Sequence, residues 1–266
     1  MTALLSVRRV SKRFGGVHAV SDVSFEVQAG TIHSIIGPNG AGKTTLFNLI
    51  SALLPVSAGE IFFDGNAIHR ARAHQLAAWG IGRTFQNLAV FSHATVIENL
   101  LVGLHHTMRT GALTGGVFLG PARRVEIEAR KNVEKIVDFL EIEHLRDEIV
   151  GTLSYGLQKR VELGRALATR PKLLLLDEMV SGMNSEETED IARFILDIKE
   201  ELGVSILMIE HDMGIVMDIS DRVTVLNFGR RIADGAPAEV ARDQAVIEAY
   251  LGRARGDERA VALERT

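Results

Sequence analysis

The chain has 266 residues, of which 46% are hydrophobic and 24% charged, and its formal net charge is −4. This is the composition of an ordinary globular protein without the basic excess typical of nucleic-acid binding, so we expect no nucleic-acid partner. The sequence contains no cysteine, which excludes disulfides and thiolate metal sites, and no apolar run approaches the roughly eighteen residues of a membrane-spanning helix. These features favour a cytoplasmic location.

The N-terminal part of the chain is predicted to be rich in β-strands. Hydrophobic runs at residues 4–10, 19–27, 31–36 and 59–64 are separated by glycine-containing turn signals, as expected for short strands. Phe14 lies among them and is either a core residue or an exposed ring that stacks on a base.

A phosphate-binding loop is predicted between the third of these strands and a helix over 44–54. Residues 37–45 read GPNGAGKTT and fit the pattern G-x-x-x-x-G-K-[ST]. Its glycines allow successive backbone N–H groups to point at phosphate oxygens, Lys43 is expected to reach the β- and γ-phosphates, and the Thr44 hydroxyl to ligate Mg²⁺. The residues expected to hold the phosphates are Gly37, Pro38, Asn39, Gly40, Ala41, Gly42, Lys43, Thr44 and Thr45.

The middle of the chain is predicted to be mainly helical. Residues 70–79 read as a helix and 81–86 as an extended segment that ends at Gln86. Gln86 is either a solvated side chain or a contact to Mg²⁺ or water. Helices are predicted over 95–108 and, from apolar residues at helical spacing, over about 20 residues around 125–140. Residues 88–156 are therefore predicted to be a helical insertion in an α/β protein.

A second anion site is predicted where the sequence LSYG begins a helix at 155–169. Ser154 is a favourable N-cap, and Gly156 would allow an anion to approach the backbone. The alternative is an ordinary capped helix, because a nucleotide bound by the first loop has little use for a second phosphate site in the same chain.

Alternating strands and helices follow. The strands are predicted at 172–176, 204–209 and 223–227 and the helices at 185–202 and 212–219. Since the strands are almost continuously apolar, they predict a parallel sheet covered on both faces.

Two adjacent acids follow the first of these strands, in the sequence LLLLDE at 173–178. We expect Asp177 to hold Mg²⁺ and Glu178 to orient or deprotonate an attacking water, at the strand end where ligands bind in such sheets. His211, after the next strand, could hydrogen-bond a γ-phosphate, although alone it is more readily explained as structural.

Taken in order, Phe14, GPNGAGKTT, Gln86, LSYG, LLLLDE and His211 resemble the nucleotide-binding subunit of an ABC transporter. The resemblance implies a single ABC ATPase domain over 4–252. It would combine a RecA-like P-loop NTPase core (about 1–87 and 157–235), an N-terminal antiparallel β subdomain, a helical subdomain (about 88–156) and C-terminal helices (about 236–252), followed by a charged tail at 253–266.

The same resemblance implies residue roles. Phe14 stacks on adenine, Gln86 and Asp177 serve Mg²⁺, Glu178 is the catalytic base and His211 contacts the γ-phosphate. Lys43, Gln86, Glu178 and His211 are thus the expected catalytic residues. Ser154 and Gly156 bind the ATP held by a second ATPase subunit, so a head-to-tail dimer with two ATP molecules is expected.

Further segments resemble the ATPase subunits of branched-chain (hydrophobic) amino acid importers. They are RTFQNLAVFSHATVIENLLVG at 83–103, MNSEE at 183–187, IEHDM at 209–213 and VIEAYLG at 246–252, together with the long stretch at 105–125. This implies ATP-driven dimer closure coupled to integral membrane permease subunits at the inner face of the membrane. A periplasmic binding protein would supply the substrate, and the second ATPase subunit is either identical or a paralogue.

Leu157, Met179 and Ser185 depart from the usual family pattern, and all three are expected near the dimer interface. The alternatives are a lipopolysaccharide-type exporter, which the signature region also resembles, a soluble non-transport ABC ATPase, a nucleotide-binding scaffold without turnover, and a P-loop GTPase or kinase. The last lacks support because no lysine is preceded by Asn or Thr in an [NT]-K-x-D motif.

Overall fold

A computed structural model describes residues 3–85, 88–104 and 121–250, with the backbone alone at 121–126. The chain forms two compact units, one comprising Met1–Ala73 and Ser205–Thr266 and the other His74–Val204. Among the described residues, no helix is both long and apolar enough to cross a bilayer.

Strands and helices are numbered in chain order. The strands are β1 (Leu5–Phe14), β2 (Val17–Val27), β3 (Ile32–Ile36), β4 (Ala58–Phe63), β5 (Asn66–Ala67), β6 (Ile81–Arg83), β7 (Leu173–Asp177), β8 (Ser205–Ile209), β9 (Arg222–Asn227) and β10 (Arg230–Gly235). The helices are α1 (Lys43–Ile50), α2 (Ala73–Trp79), α3 (Val96–Gly103), α4 (Pro121–Phe139), α5 (Tyr155–Ala168), α6 (Ser185–Glu200), α7 (Met213–Ile219) and α8 (Pro237–Val240).

The first unit contains an antiparallel sheet in the order β2-β1-β4-β5. Strands β1 and β2 carry buried residues such as Leu5, Val7, Val23 and Phe25, while most of their charged residues are exposed. This burial is usual for antiparallel strands that pack one face on a core. The predicted N-terminal antiparallel β subdomain is confirmed.

The first unit also contains a mainly parallel group of strands in the order β10-β9-β3-β8. Strand β3 pairs in parallel with β8 on one side and β9 on the other, and every residue of β3 and β8 is buried. Continuous burial explains why β8 reads as an apolar run without alternation, whereas in β3 it also encloses His33 and Ser34. Ile35 is the register partner of Ile209, so the segments after β3 and β8 leave the sheet at the same edge.

The second unit combines the parallel pair β6 and β7 with a group of packed helices. Helices α3, α4 and α5 contact one another. A Cβ at Gly103 would collide with the carbonyl oxygen of Arg165, so close packing of α3 on α5 requires glycine there. The predicted helices at 95–108 and around 125–140 are confirmed as α3 and α4 over their described parts.

Two strands were not predicted. Strand β10 is short and charged, and it pairs antiparallel with β9 through a turn at Phe228 and Gly229, both with positive φ. Strand β5 has only two residues. In the predicted C-terminal helical segment, α8 is followed by helical residues at 244–250. The domain boundaries given above stay predictions, and the tail at 253–266 lies outside the described residues.

Candidate nucleotide-binding site

The predicted phosphate-binding loop connects β3 to α1. Helix α1 begins at Lys43, and its N-cap is Gly42 in the left-handed conformation (φ 100°), with no side chain capping the helix. The first N–H groups of a helix lack intrahelical partners and favour anions. This helix start can therefore receive the negative charge of phosphate.

Two glycines of the loop are required by close backbone contacts. A Cβ at Gly37 would collide with the carbonyl oxygen of Leu226 in β9, and one at Gly42 with that of Ala19 in β2. Gly229, beyond β9, donates its N–H to the carbonyl of Ala41 at 2.9 Å. The loop is thus held closely against β2 and β9.

Lys43 is buried and its side chain turns back over the loop. Its Nζ donates to the carbonyl oxygens of Gly37 at 2.6 Å and Pro38 at 3.2 Å. Thr44, the next residue, is exposed. The loop therefore wraps around the ammonium group. In this position the ammonium group can contact a bound phosphate.

Tyr250, in the helical segment at 244–250, also contacts this loop. Burial raises the pKa of the Tyr250 hydroxyl, and a hydrogen bond from the backbone of Gly37 opposes this rise. Sequence reasoning missed this residue, because nothing near the end of the chain indicates a contact more than 200 positions away.

Phe14 and His211 are both exposed at the surface of the first unit. Phe14 ends β1 with 47% of its surface exposed, and Lys12 Nζ lies 5.1 Å from the centre of its ring. His211 is exposed two residues after β8, at the sheet edge that also carries the phosphate-binding loop. The exposed ring of Phe14 argues against its being a core residue.

Asp177, at the end of β7, pairs with a residue that the sequence analysis did not single out. Arg83 Nη2 lies 3.0 Å from Asp177 Oδ2, and both side chains are largely buried. Burial raises the pKa of Asp177, an effect that Arg83 opposes. The second carboxylate oxygen, Oδ1, is buried and accepts no hydrogen bond from any described residue.

Glu178 follows with a positive φ of 53°, a conformation uncommon for residues other than glycine and often found at functional sites. It is 8% exposed. Met179, expected near the dimer interface, has a fully buried side chain. Its departure from the family pattern is therefore accommodated in the core of the second unit.

Helix α5 starts as predicted. Ser154 is the N-cap, is exposed, and accepts a hydrogen bond from the Leu157 N–H. Gly156 is buried, and a Cβ there would collide with the carboxylate of Glu187. The Glu187 side chain can shift, so this contact does not by itself require glycine, and the second anion site stays a prediction. Gln86 lies outside the described residues.

A model of the ABC transporter family matches residues 20–181. The chain belongs to the ABC transporter family. It is therefore an ATP-binding ATPase, and membership implies a dimer of cassettes and a membrane permease partner. A second family model, described as branched-chain amino acid ATP-binding cassette transporter, matches residues 230–255.

Known relatives agree with this family. The chain is 41% identical to the high-affinity branched-chain amino acid transport ATP-binding protein BraF of Pseudomonas aeruginosa, over 94% of this chain and 98% of that one. Identity is 39% to the corresponding LivG of Escherichia coli, with the same coverage. The predicted resemblance to these importer ATPases is confirmed, and the exporter and non-transport alternatives are not favoured.

Solved structures give the same fold. A nucleotide-free ATP-binding cassette from an ABC transporter matches with a TM-score of 0.81 and 35% identity, over 94% of this chain and 99% of that one. The ADP conformation of the ATP-binding cassette MJ1267 matches with a TM-score of 0.82 and 34% identity, over 95% of this chain and all of that one. The predicted P-loop ABC ATPase fold is confirmed.

Proposed function

We propose that this protein is the ATP-hydrolysing subunit of an importer for branched-chain or other hydrophobic amino acids. The match of residues 230–255 to the branched-chain transporter model supports this substrate class. The proposal places the chain on the cytoplasmic face of the membrane, bound to separate permease subunits. A periplasmic binding protein delivers the amino acid to that permease.

The observation that carries ATP binding is the enclosure of Lys43 by the loop at 37–42. Its ammonium group is held by the carbonyl oxygens of Gly37 and Pro38 at the start of α1, where a positive charge favours a bound phosphate. We assign the loop residues and the start of α1 to the phosphates, and the exposed ring of Phe14 to adenine. Stacking on an aromatic ring is a common way to hold a base.

The magnesium ligands are assigned from the chemistry of the individual side chains. Asp177 offers a buried carboxylate oxygen with no hydrogen-bond partner in the described chain, and Thr44 offers a hydroxyl at the start of α1. Hard oxygen ligands of this kind suit Mg²⁺, which is usually bound through one or two carboxylates together with substrate phosphates and waters. When bound, Mg²⁺ neutralises phosphate charge. Asp177, Thr44 and Gln86 are the proposed ligands.

Hydrolysis requires a base for water and donors for the phosphate. We assign the first role to Glu178, whose carboxylate accepts a proton as water attacks the γ-phosphate. His211 and Gln86 are assigned to orient that phosphate and the water, and Lys43 to stabilise charge. Positioning and charge stabilisation supply most of the rate in phosphoryl transfer, so no covalent intermediate is needed.

Ser154 and Gly156 are assigned to the ATP held by the second ATPase subunit. Ser154 is exposed at the start of a 14-residue helix, where a hydroxyl and free N–H groups can meet a phosphate. Two subunits would then enclose two ATP molecules, and hydrolysis would allow the subunits to separate.

The permease is proposed to dock beside the segment that follows Gln86. A surface cavity of about 540 Å³ lies there, lined by Val90, Phe91, Ser92, His93, Ala94 and Glu98. Phe91 is 54% exposed, and an exposed aromatic ring beside a cavity can receive a helix from a partner.

The direct test is transport by the purified complex. The chain is co-purified with its permease, reconstituted in vesicles with the binding protein, and assayed for ATP-dependent uptake of leucine. Uptake that disappears with Lys43→Ala is the expected result. ATP hydrolysis without uptake of any hydrophobic amino acid, or stimulation by lipopolysaccharide, would contradict the proposal.

A further inference from the structure

Helix α5 carries a buried ion pair that none of the roles above uses. Lys159 Nζ lies 3.1 Å from Glu162 Oε2, one helical turn away, and the two side chains are 0% and 1% exposed. A buried ion pair is weak evidence for stability, because removing both charges from water costs as much as their attraction returns. The contacts around the pair indicate another role.

Glu162 binds backbone on both sides of Gln86, and Lys159 binds it on one side. Glu162 Oε1 accepts the N–H of Phe85 at 3.1 Å and that of Ala89 at 3.4 Å. Lys159 Nζ donates to the Phe85 carbonyl oxygen at 3.3 Å. One carboxylate oxygen therefore bridges two residues four positions apart, and Gln86 lies between them in sequence.

The same pair is rigidly connected to the start of α5. Ser154 is the N-cap of that helix, and Glu162 lies eight residues later, about 12 Å along a continuous helix. Lys159 also lies 6.0 Å from the ring centre of Tyr155. A shift of the helix start must move the ion pair with it, because no proline or break interrupts α5 between them.

We infer that Lys159 and Glu162 are positioning residues that link the start of α5 to the backbone of Phe85 and of Ala89. Movement of Ser154 on contacting the partner's ATP is transmitted through the pair to both flanks of Gln86. The position of residues 88–94, which continue into the cavity assigned to the permease, therefore depends on whether the partner subunit holds ATP. This inference rests on the proposed function, because it assumes that Ser154 meets a partner's ATP.

Replacing the pair by apolar residues tests the linkage without leaving an unpaired charge. Lys159→Met with Glu162→Leu preserves approximate volume and is expected to fold with similar stability. Hydrogen exchange of the full chain should then be at least tenfold faster at the Phe85 and Ala89 amides. Unchanged exchange at both amides would overturn the inference.

The functional readout uses the reconstituted complex. In Lys159→Met with Glu162→Leu (the Met/Leu variant), we expect stimulation of ATPase activity by substrate-loaded binding protein to fall at least tenfold, while the KM for ATP changes less than threefold. Lys159→Met with Glu162→Gln (the Met/Gln variant) also leaves no unpaired charge, and its amide oxygen can accept both N–H groups, so it should keep at least a third of the stimulation. Full stimulation in the Met/Leu variant, or equal loss in the Met/Gln variant, would overturn the inference.

The two proposals fail in different ways. A wild-type complex that neither hydrolyses ATP nor transports would contradict the proposed function. A wild-type complex that transports, with a Met/Leu variant that is stimulated equally well, would contradict only the linkage.

Discussion

Arg83 Nη2 and Asp177 Oδ2 lie 3.0 Å apart at the ends of two adjacent parallel strands, with 10% and 1% of their side chains exposed. The backbone is fixed at the same place, since Thr84 Oγ1 accepts the Asp177 N–H at 3.3 Å. Arg83 therefore pairs with one oxygen of a buried carboxylate. The other oxygen has no hydrogen-bond partner in the described chain. Arg83 thus favours the charged form of the proposed metal ligand, against the burial that raises the pKa of Asp177.

Arg83→Met should destabilise the protein by about 3 kcal/mol, because removing one member of a buried pair leaves an uncompensated charge. Mg²⁺ should then stabilise the variant more than the wild type, since Asp177 has lost its cation. Urea unfolding with and without Mg²⁺ measures both effects.

Arg83→Lys is the matched control, because it retains a positive charge beside Asp177. Its stability should lie between those of the other two proteins. An Arg83→Met variant that gains no more from Mg²⁺ than the wild type would show that Asp177 is not a magnesium ligand.

Glu178→Gln should keep ATP affinity and lower hydrolysis by about 10²- to 10⁴-fold, the usual scale for loss of a general base. Phosphate release under saturating ATP measures the rate, and equilibrium titration measures binding. Glu143→Gln, which changes an exposed acid in the same unit, should leave both unchanged. Near-normal hydrolysis in Glu178→Gln would remove this residue from the role of base.

Tyr250→Phe should weaken ATP binding about fivefold, which corresponds to one hydrogen bond of about 1 kcal/mol to the phosphate-binding loop. Titration of the isolated chain with a fluorescent ATP analogue measures the dissociation constant. The chain has one other tyrosine, and Tyr155→Phe is the control, because that ring lies at the start of α5. Equal affinity in the two variants would contradict a role for Tyr250.

His33 should make stability depend on pH. It is buried, its Nε2 lies 2.8 Å from the Thr224 hydroxyl, and burial lowers its pKa from 6.5 to about 4. Between these values the unfolded chain binds a proton that the folded chain does not. This contribution to stability is therefore complete above pH 6.5 and is lost as the pH falls towards 4.

At pH 5 the loss amounts to about 2 kcal/mol, taking the unfolded and folded pKa values given above. His33→Gln removes the titrating group while retaining a polar side chain beside Thr224. Urea unfolding at pH 7.5 and pH 5 should show a larger decrease for the wild type than for this variant. Parallel decreases in both proteins would show that His33 does not titrate in this way.

Much of the fold could be predicted from periodicity. The almost continuously apolar runs at β7 and β8 predicted buried parallel strands, because such strands are covered on both faces. Ser154 predicted the start of α5, because an N-cap depends on local chemistry. Strand β10 was missed, because its pairing with β9 stabilises a charged edge segment that lacks alternation.

The candidate site was predictable where it depends on local sequence and not where it depends on tertiary contacts. The loop at 37–45 and the acids at 177–178 follow from motifs. Arg83, Tyr250 and the pair Lys159 and Glu162 act through partners distant in sequence. The sequence contained a signal for the pair, since a lysine and a glutamate interrupt the otherwise small and apolar side of α5. The structure shows that both are buried.

The central claim is that two subunits enclose ATP, with Ser154 of one acting on the nucleotide held by Lys43 of the other. It is tested most directly by light scattering of Glu178→Gln with ATP and Mg²⁺. We expect twice the mass of one chain, and a single-chain mass when Ser154→Arg is added, with ATP still bound in both. A single-chain mass for ATP-bound Glu178→Gln, or a dimer that persists with Ser154→Arg, would contradict the claim.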